Sequence, residues 1–159
     1  MSRSAPYTMT LETPVGTIGI ATAQGALCAL DLPVSAAASQ TEGNGFAAEV
    51  ARQLRRYFED GSVGFDLPLR LSGTDFQHAV WKRLQAIPPG STRTYGEIAR
   101  ELRSSPRAVG NACRANPVPI VIPCHRVVAA NGIGGYGGAT SGKRLDTKRW
   151  LLEHEGVRQ

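Results

Sequence analysis

Long hydrophobic runs are missing from this 159-residue sequence: no apolar stretch approaches the roughly 20 residues that a membrane-spanning helix needs. Residues 1–6 are not followed by the apolar core of a secretory signal either. We therefore expect a protein that has no membrane partner, is not secreted and resides in the cytoplasm.

Cysteine and histidine are scarce, with three of each. The cysteines are Cys28, Cys113 and Cys124, none of them in a Cys-x-x-Cys pair, and the histidines are widely spaced. An odd number of isolated cysteines argues against a disulfide framework and a zinc site, and is typical of a reducing compartment. We expect neither a bound metal nor a cofactor.

Acidic residues are few in the second half of the chain. Residues 1–72 contain five Lys and Arg against seven Asp and Glu, whereas residues 73–159 contain 13 against six. This asymmetry indicates that only the second half binds a polyanion, although a solvated basic surface would have the same composition. We place a domain boundary between residues 1–72 and residues 73–159.

The pattern of the first domain is typical of strands followed by one helix. Turn residues divide residues 7–32 into three short strands, with Cys28 on a core-facing side. Apolar residues then recur at every fourth position from Phe46 to Phe58, which predicts an amphipathic helix. Residues 65–67, followed by a proline, predict a short edge strand.

Three helices of the second domain begin with recognisable capping sequences. Two are capping boxes and the third is a serine followed by proline at the first helical position. The second and third helices, separated by a few residues, have the outline of a helix-turn-helix, an outline that any small helical domain could share. The capping pairs are Thr74 with Gln77, Thr94 with Glu97, and Ser105 with Pro106.

Arginines and small residues distinguish this helix pair. Glu101 is the only acid in residues 98–115, and small side chains follow one another on the third helix, so that this helix could approach a narrow groove. The arginines are Arg100, Arg103, Arg107 and Arg114, and the small residues include Ala108 and Gly110.

Residues 117–127, Pro-Val-Pro-Ile-Val-Ile-Pro-Cys-His-Arg-Val, are the most informative stretch. Their prolines exclude a helix interior and a central strand, and predict a rigid extended segment that holds Cys124 in place. A thiol beside His125 and Arg126 lies in an electropositive setting that favours the thiolate. Cys124 is therefore a candidate nucleophile, with a small buried packing residue as the alternative.

A cysteine nucleophile needs a base, and the base needs an orienting group. His125 and Glu155 can fill these roles, with a water bridging Cys124 and His125 because adjacent side chains rarely bond directly. Glu153 and Glu155 lie near the end of the last predicted helix, where each exposed carboxylate costs about 0.3–1 kcal/mol against the helix dipole. We expect Glu153 to be exposed and Glu155 to have a specific partner.

The sequence resembles the O6-alkylguanine-DNA alkyltransferases, also called methylated-DNA–protein cysteine methyltransferases. The resemblance is strong from residue 74 to residue 157, and the first 70 residues match only in layout. It rests on five blocks in the same order: Phe76-Gln77 with Val80-Trp81, residues 94–99, residues 107–110, residues 114–127 and residues 150–156.

This resemblance implies an α+β protein. Residues 1–72 would form a small ribonuclease-H-like α/β domain, and residues 73–159 a helical winged helix-turn-helix domain that holds the DNA-binding surface and the active site. The implied function is DNA repair by stoichiometric transfer of an alkyl group from O6-alkylguanine to Cys124, which inactivates the protein. O4-alkylthymine stays open as a second substrate. The implied proton relay runs from Glu155 to His125 and through water to Cys124.

The resemblance also implies a cofactor-free monomer that binds double-stranded DNA through the minor groove and flips the damaged base. Arg107 would enter the vacated base stack, beside DNA contacts from Tyr95, Ala108, Gly110 and Arg114. The substrate pocket would consist of Tyr95, Val127, Tyr136 and Gly137, and Asn116 would tie the recognition helix to the Cys124 segment.

Three other functions compete with alkyl transfer. A non-catalytic lesion-binding relative would carry another residue, typically Trp, at position 124. A transcriptional regulator that senses alkylation would carry a further metal-binding domain, for which we expect no room in 159 residues. A Cys-His-Glu hydrolase would turn over an ester or amide through an acyl-enzyme.

Overall fold

The computed structural model describes residues 7–34, 45–136 and 142–158. They form two compact units, one that ends at Ser72 and also includes Pro117–Pro119, and one that comprises Gly73–Asn116 and the chain from Ile120 onward. The sequence had predicted Pro117–Pro119 in the second domain. Within the described ranges, no helix has both the length and the apolar character to cross a membrane.

The first unit contains a three-stranded antiparallel sheet. Strands β1 (Met9–Thr13), β2 (Gly16–Ala23) and β3 (Ala26–Asp31) are neighbours in sequence order. Gln24 and Gly25 both have positive φ, which suits the tight turn between β2 and β3. The predicted meander of three strands is confirmed.

Cys28 lies at a β-bulge on β3. Ala21 pairs with Ala29 but Thr22 pairs with Leu27, so that Cys28 has no residue opposite it on β2. Such a bulge interrupts the alternation of side chains along a strand. Leu27 and Ala29 are buried and Cys28 is only half-buried, so the prediction that Cys28 belongs to the core is wrong.

Helix α1 (Gly45–Glu59) packs against all three strands. Val50 and Leu54 are fully buried, as the apolar spacing predicted, but Phe46 and Phe58 at the two ends are half-buried. A four-residue spacing drifts around a helix of 3.6 residues per turn. The buried face therefore also takes in small and aromatic residues outside that spacing, among them Ala47, Ala51 and Tyr57.

The predicted strand over residues 65–67 is not among the described strands. The chain pairs with β3 slightly later, where Leu69 forms an isolated parallel bridge with Leu27. Leu27 N donates to Pro68 O at 2.8 Å and Arg70 N donates to Leu27 O at 2.9 Å. Pro68 lacks an N–H but can accept, so an edge position that uses only its carbonyl suits it.

The second unit is mainly helical, and its three predicted helix starts are confirmed. Both capping boxes are complete, and the Ser105 hydroxyl accepts from Ala108 N at 3.1 Å. Trp81 Nε1 donates to Ala112 O at 2.8 Å, which fixes the first helix of this unit to the third. The helices are α2 (Asp75–Gln85), α3 (Tyr95–Glu101), α4 (Pro106–Arg114) and α5 (Lys143–His154).

Two very short strands connect the helix-turn-helix to the cysteine segment. Strand β4 (Arg93–Thr94) directly precedes α3 and pairs in parallel with β5 (Val127–Val128), with Arg93 opposite Val127. Strand β5 directly follows a single 3-10 turn, Cys124–Arg126. The pairing therefore ties the turn that carries Cys124 to the start of α3.

The segment before Cys124 is not extended throughout, contrary to the prediction. Ile120 has φ +76°, in the left-handed region that β-branched residues avoid. The chain turns there, and Ile120 and Ile122 are almost completely buried. Rigidity comes from this buried turn together with the prolines.

Candidate active site

Cys124 is the first residue of the 3-10 turn and is 7% exposed. Its N–H donates to Ile122 O at 2.8 Å, and its carbonyl accepts from Val127 N. Burial raises the pKa of the Cys124 thiol, while a hydrogen bond from Asn116 and the positive charge of Lys148 act in the opposite direction. Because burial disfavours the thiolate, the Cys124 thiol needs a nearby base or positive charge in order to ionise.

The two residues after Cys124 both contact Glu155. His125 Nε2 lies 2.7 Å from Glu155 Oε2, and Arg126 donates through Nε to Oε1 at 2.8 Å and through Nη2 to Oε2 at 2.9 Å. Arg126 Nη1 also donates to Ile87 O at 2.6 Å. The prediction that Arg126 makes the surroundings of Cys124 electropositive is therefore wrong, because this guanidinium is paired with a carboxylate.

The tautomer of His125 follows from these contacts. A two-point ion pair with Arg126 favours ionised Glu155, which can only accept, so His125 Nε2 carries the proton that it shares with Glu155. Burial lowers the pKa of His125 and outweighs the opposing effect of Glu155, so the ring is neutral at pH 7. Nδ1 is then a free acceptor, and it is buried with no hydrogen-bond partner among the described residues.

Glu155 lies at the C-cap of α5, just beyond its last turn. Its side chain is fully buried, whereas Glu153 is exposed, as predicted. Backbone bonds from Glu155 N to Leu151 O and Leu152 O, at 3.1 and 3.2 Å, hold the residue in place. The contacts with His125 and Arg126 thus explain why a carboxylate lies at a helix end where the helix dipole disfavours it.

Tyr95 and Tyr136 are half-buried aromatic residues near the thiol. Burial, with a smaller contribution from the cysteines, raises the pKa of Tyr95 to about 12. Burial also raises the pKa of Tyr136 well above its ordinary value. Both hydroxyls therefore stay protonated donors, and within the described part of the chain the shielded Tyr136 hydroxyl has no partner.

Gly134 fits closely against Tyr95. Its φ is +79°, and a Cβ at this position would lie 3.0 Å from the Tyr95 ring and 3.2 Å from Ala129 N. Glycine is thus required both by the backbone conformation and by the space. The Tyr95 hydroxyl lies 3.5 Å from Gly135 O, at the limit of a hydrogen bond.

Lys148 belongs to the site and was not predicted. It is 0% exposed, and Nζ donates to Val127 O at 2.7 Å and to Gly135 O at 2.9 Å. The ammonium also lies 5.8 Å from the centre of the Tyr95 ring. A signal was available, because Lys148 falls three residues after Leu145 and three before Leu151 on the buried face of α5.

Asn116 follows α4 and links it to the segment before the cysteine. Its Nδ2 donates to Ile122 O at 2.8 Å, and its own N–H bonds to Cys113 O at 3.1 Å. The same side chain hydrogen-bonds the Cys124 thiol. Gly137 lies outside the described residues.

The helix-turn-helix formed by α3 and α4 presents an exposed basic surface. It has two acids: Glu97 completes the capping box of α3, and Glu101 is occupied by ion pairs with Arg83 and Arg93. Ala108 and Gly110 are half-buried on α4. The four predicted arginines are all exposed: Arg100, Arg103, Arg107 and Arg114.

Family models match both units of the chain. The model described as 6-O-methylguanine DNA methyltransferase, DNA binding domain, matches residues 75–157, and that described as its ribonuclease-like domain matches residues 7–71. The expected fold class is thereby confirmed as a ribonuclease-like first domain followed by a helical DNA-binding domain.

Individual relatives carry the same description. A methylated-DNA–protein-cysteine methyltransferase of Methanosarcina barkeri is 43% identical over 153 residues, which cover 91% of this chain and 94% of that protein. A crystal structure of the Mycobacterium tuberculosis O6-methylguanine methyltransferase covers 92% of this chain and 90% of its own, with 38% identity and a TM-score of 0.78. A structure of the M. tuberculosis protein OGT in complex with DNA has the same TM-score, at 39% identity, and covers 92% of this chain and 91% of its own.

Proposed function

The chain belongs to the 6-O-methylguanine DNA methyltransferase family, and on this premise we propose that it repairs O6-alkylguanine in DNA by transferring the alkyl group to Cys124. One observation carries the assignment to these residues. His125, which directly follows Cys124, is buried against Glu155 at 2.7 Å with its other ring nitrogen free to accept a proton.

The transfer is an in-line displacement at the alkyl carbon. A bond forms between Cys124 Sγ and this carbon as the bond from the carbon to guanine O6 breaks, and the electron pair moves into the guanine ring. The thiol loses one proton and the departing guanine gains one, so the overall reaction balances. The product is a thioether, which water does not readily hydrolyse, and each molecule therefore acts once.

His125 is the proposed base. Its free Nδ1 would take the thiol proton through a bridging water, while Glu155 holds Nε2 and stabilises the imidazolium that forms. Arg126 keeps Glu155 ionised and oriented. A neutral imidazole at pH 7 is the protonation state that this role demands.

The pocket residues would recognise the guanine itself. The Tyr136 hydroxyl is a buried donor suited to O6, and Tyr95 is a donor suited to the ring nitrogen N3. The Val127 carbonyl, three residues after Cys124, would accept from the exocyclic amine. By resemblance to the family, the Gly137 amide would also contact O6.

DNA would bind to the helix-turn-helix through the minor groove. The target carbon lies inside the duplex, so the nucleotide must leave the stack at a cost of a few kcal/mol. Arg107, exposed on the first turn of α4, would fill the gap, and Ala108 and Gly110 keep that helix slim. Arg114 would contact phosphate, and we expect the protein to act as a monomer.

The direct test is mass spectrometry of the intact protein and its peptides after incubation with duplex DNA that contains one O6-methylguanine. We expect one added methyl group, located on the Cys124 peptide and saturating at one per molecule. The Cys124→Ala protein is the control and should gain none while still binding the lesion. Lesion binding by the wild-type protein without any adduct would instead identify a non-catalytic sensor.

A further inference from the structure

Lys148 is the one completely buried ammonium group of the described residues, and the relay of Cys124, His125 and Glu155 does not use it. Burying a lysine is costly unless its charge meets suitable partners. Lys148 Nζ has two carbonyl partners, at 2.7 and 2.9 Å, and lies over the face of Tyr95. These partners indicate that the buried charge of Lys148 has a specific role in the site.

The two carbonyls belong to different segments of the chain. Val127 directly follows the 3-10 turn that carries Cys124, and its own N–H bonds to Cys124 O. Gly135 directly precedes Tyr136, the proposed donor to guanine O6. A single ammonium thus joins the cysteine turn to the loop that carries the recognition tyrosine, and does so from α5.

We infer that Lys148 is a positioning residue for alkyl transfer, which fixes the Val127 carbonyl and the Gly135–Tyr136 loop in place and presents a positive charge to the Cys124 thiolate. This inference rests on the proposed function. It supplies the cation that the sequence wrongly assigned to Arg126, whose guanidinium is bound to Glu155.

The electrostatics around Lys148 agree with this placement. Its charge lowers the pKa of the Cys124 thiol, against the larger effect of burial, and lowers the pKa of Cys113 in the same way. Burial lowers the pKa of Lys148 itself to about 8, so the ammonium is largely retained at pH 7. The titratable groups around it are Cys124 and His125 on the cysteine turn, Cys113 on α4 and Tyr95 on α3.

The experiment compares three substitutions. Lys148→Met removes the charge and both hydrogen bonds, Lys148→Gln keeps an amide donor without charge, and Lys148→Arg keeps the charge. Lys143→Met, an exposed position on the same helix, is the matched control. Thermal unfolding first establishes that each protein is folded, and if the Met variant is not, the Gln variant carries the test.

Two readouts are measured on each protein. The first is the pH midpoint of Cys124 alkylation by iodoacetamide, followed on the Cys124 peptide, which does not depend on the proposed function. The second is the rate of benzyl transfer from free O6-benzylguanine at pH 7.5. Free base is used so that DNA contacts do not contribute.

We expect the Met and Gln variants to raise the midpoint by about one pH unit, which is about tenfold less thiolate at neutral pH, and to slow benzyl transfer at least tenfold. The Arg variant should keep the wild-type midpoint, and Lys143→Met should change neither readout. A folded Met or Gln variant with the wild-type midpoint and rate would overturn the inference. If wild-type protein accepted no methyl group from an O6-methylguanine duplex, the proposed function itself would fail, whatever the midpoints.

Discussion

At the scale of single residues, one carboxylate serves two buried partners. Glu155 accepts from His125 and from Arg126 at the same time, and all three side chains are buried or nearly so. Loss of its charge would leave the Arg126 guanidinium without a counter-ion in the interior. The stability of the fold and the orientation of the base therefore depend on the same group.

Glu155→Gln tests this dependence. We expect a loss of about 3–5 kcal/mol in the free energy of unfolding, because a buried charge loses its partner, measured by urea denaturation. Benzyl transfer should also fall strongly in the protein that remains folded. Glu153→Gln, the exposed neighbour, is the control, and a loss in Glu155→Gln no larger than the loss in this control would contradict the pairing.

The pKa of His125 leads to a second prediction at this scale. Burial lowers it, so between about pH 6.5, the unfolded value, and the lower folded value the unfolded chain binds a proton that the folded chain does not. This group therefore destabilises the fold progressively as the pH falls through that window. Titration of the His125 ring by NMR, assigned with His125→Gln, should give a midpoint below 6.5; a midpoint at or above 6.5 would exclude a neutral, desolvated base.

Sequence patterns could indicate Cys124, His125 and Glu155 because each lies in an unusual local sequence context. A thiol beside a base, and a carboxylate at a helix end, both stand out. The partner of Arg126 depends on how α5 packs, which no local pattern specifies, whereas the burial of Lys148 follows from its spacing on α5. A basic residue on a basic helix resembles a solvated one until its apolar neighbours three positions away are considered.

At the scale of elements, the helix starts were predictable and the sheet edges were not. A capping box satisfies its own backbone donors within four residues, so Thr74 and Thr94 mark their helices without tertiary context. The bulge at Cys28 and the bridge at Leu69 arise from pairing between separate segments. Register between strands is decided by the whole sheet, and single-strand alternation cannot reveal a slip.

The loop before Tyr136 gives a prediction at this scale. Gly134→Ala would place a methyl group 3.0 Å from the Tyr95 ring in a left-handed backbone, at a conformational cost of about 1–2 kcal/mol. We expect reduced stability and slower benzyl transfer, because Tyr95 or the loop must move. Gly132→Ala is the matched control, since a Cβ there would meet no atom within 4 Å. Equal behaviour of the two variants would show that the loop adapts freely.

At the scale of the whole molecule, positive charge is concentrated on one unit. The exposed arginines of α3 and α4 lie on the second unit, whereas the acidic excess lies in residues 1–72. Phosphate contacts give affinity that does not depend on sequence and that weakens with salt. Such a distribution suits a protein that must search long stretches of DNA for a rare lesion.

Arg107→Ala separates the handling of DNA from the chemistry. We expect repair of an O6-methylguanine duplex to slow much more than transfer from free O6-benzylguanine, because the free base needs no flipping. Single-turnover rates on both substrates measure the difference. Arg55→Ala, an exposed arginine of the first unit, should affect neither, and an equal loss on both substrates in Arg107→Ala would contradict its role in the duplex.

The path of the chain through its two units constrains the order in which the protein can be completed. Leu30 N, on β3, donates to Pro117 O at 2.8 Å, and Pro117 reaches the first unit only after α2, α3 and α4 have been synthesised. A nascent chain that stops at Ser72 therefore leaves that backbone donor without its native acceptor. The first unit cannot be finished on the ribosome before residues 73–116 of the second have emerged, so the two are made as one interleaved product rather than in succession.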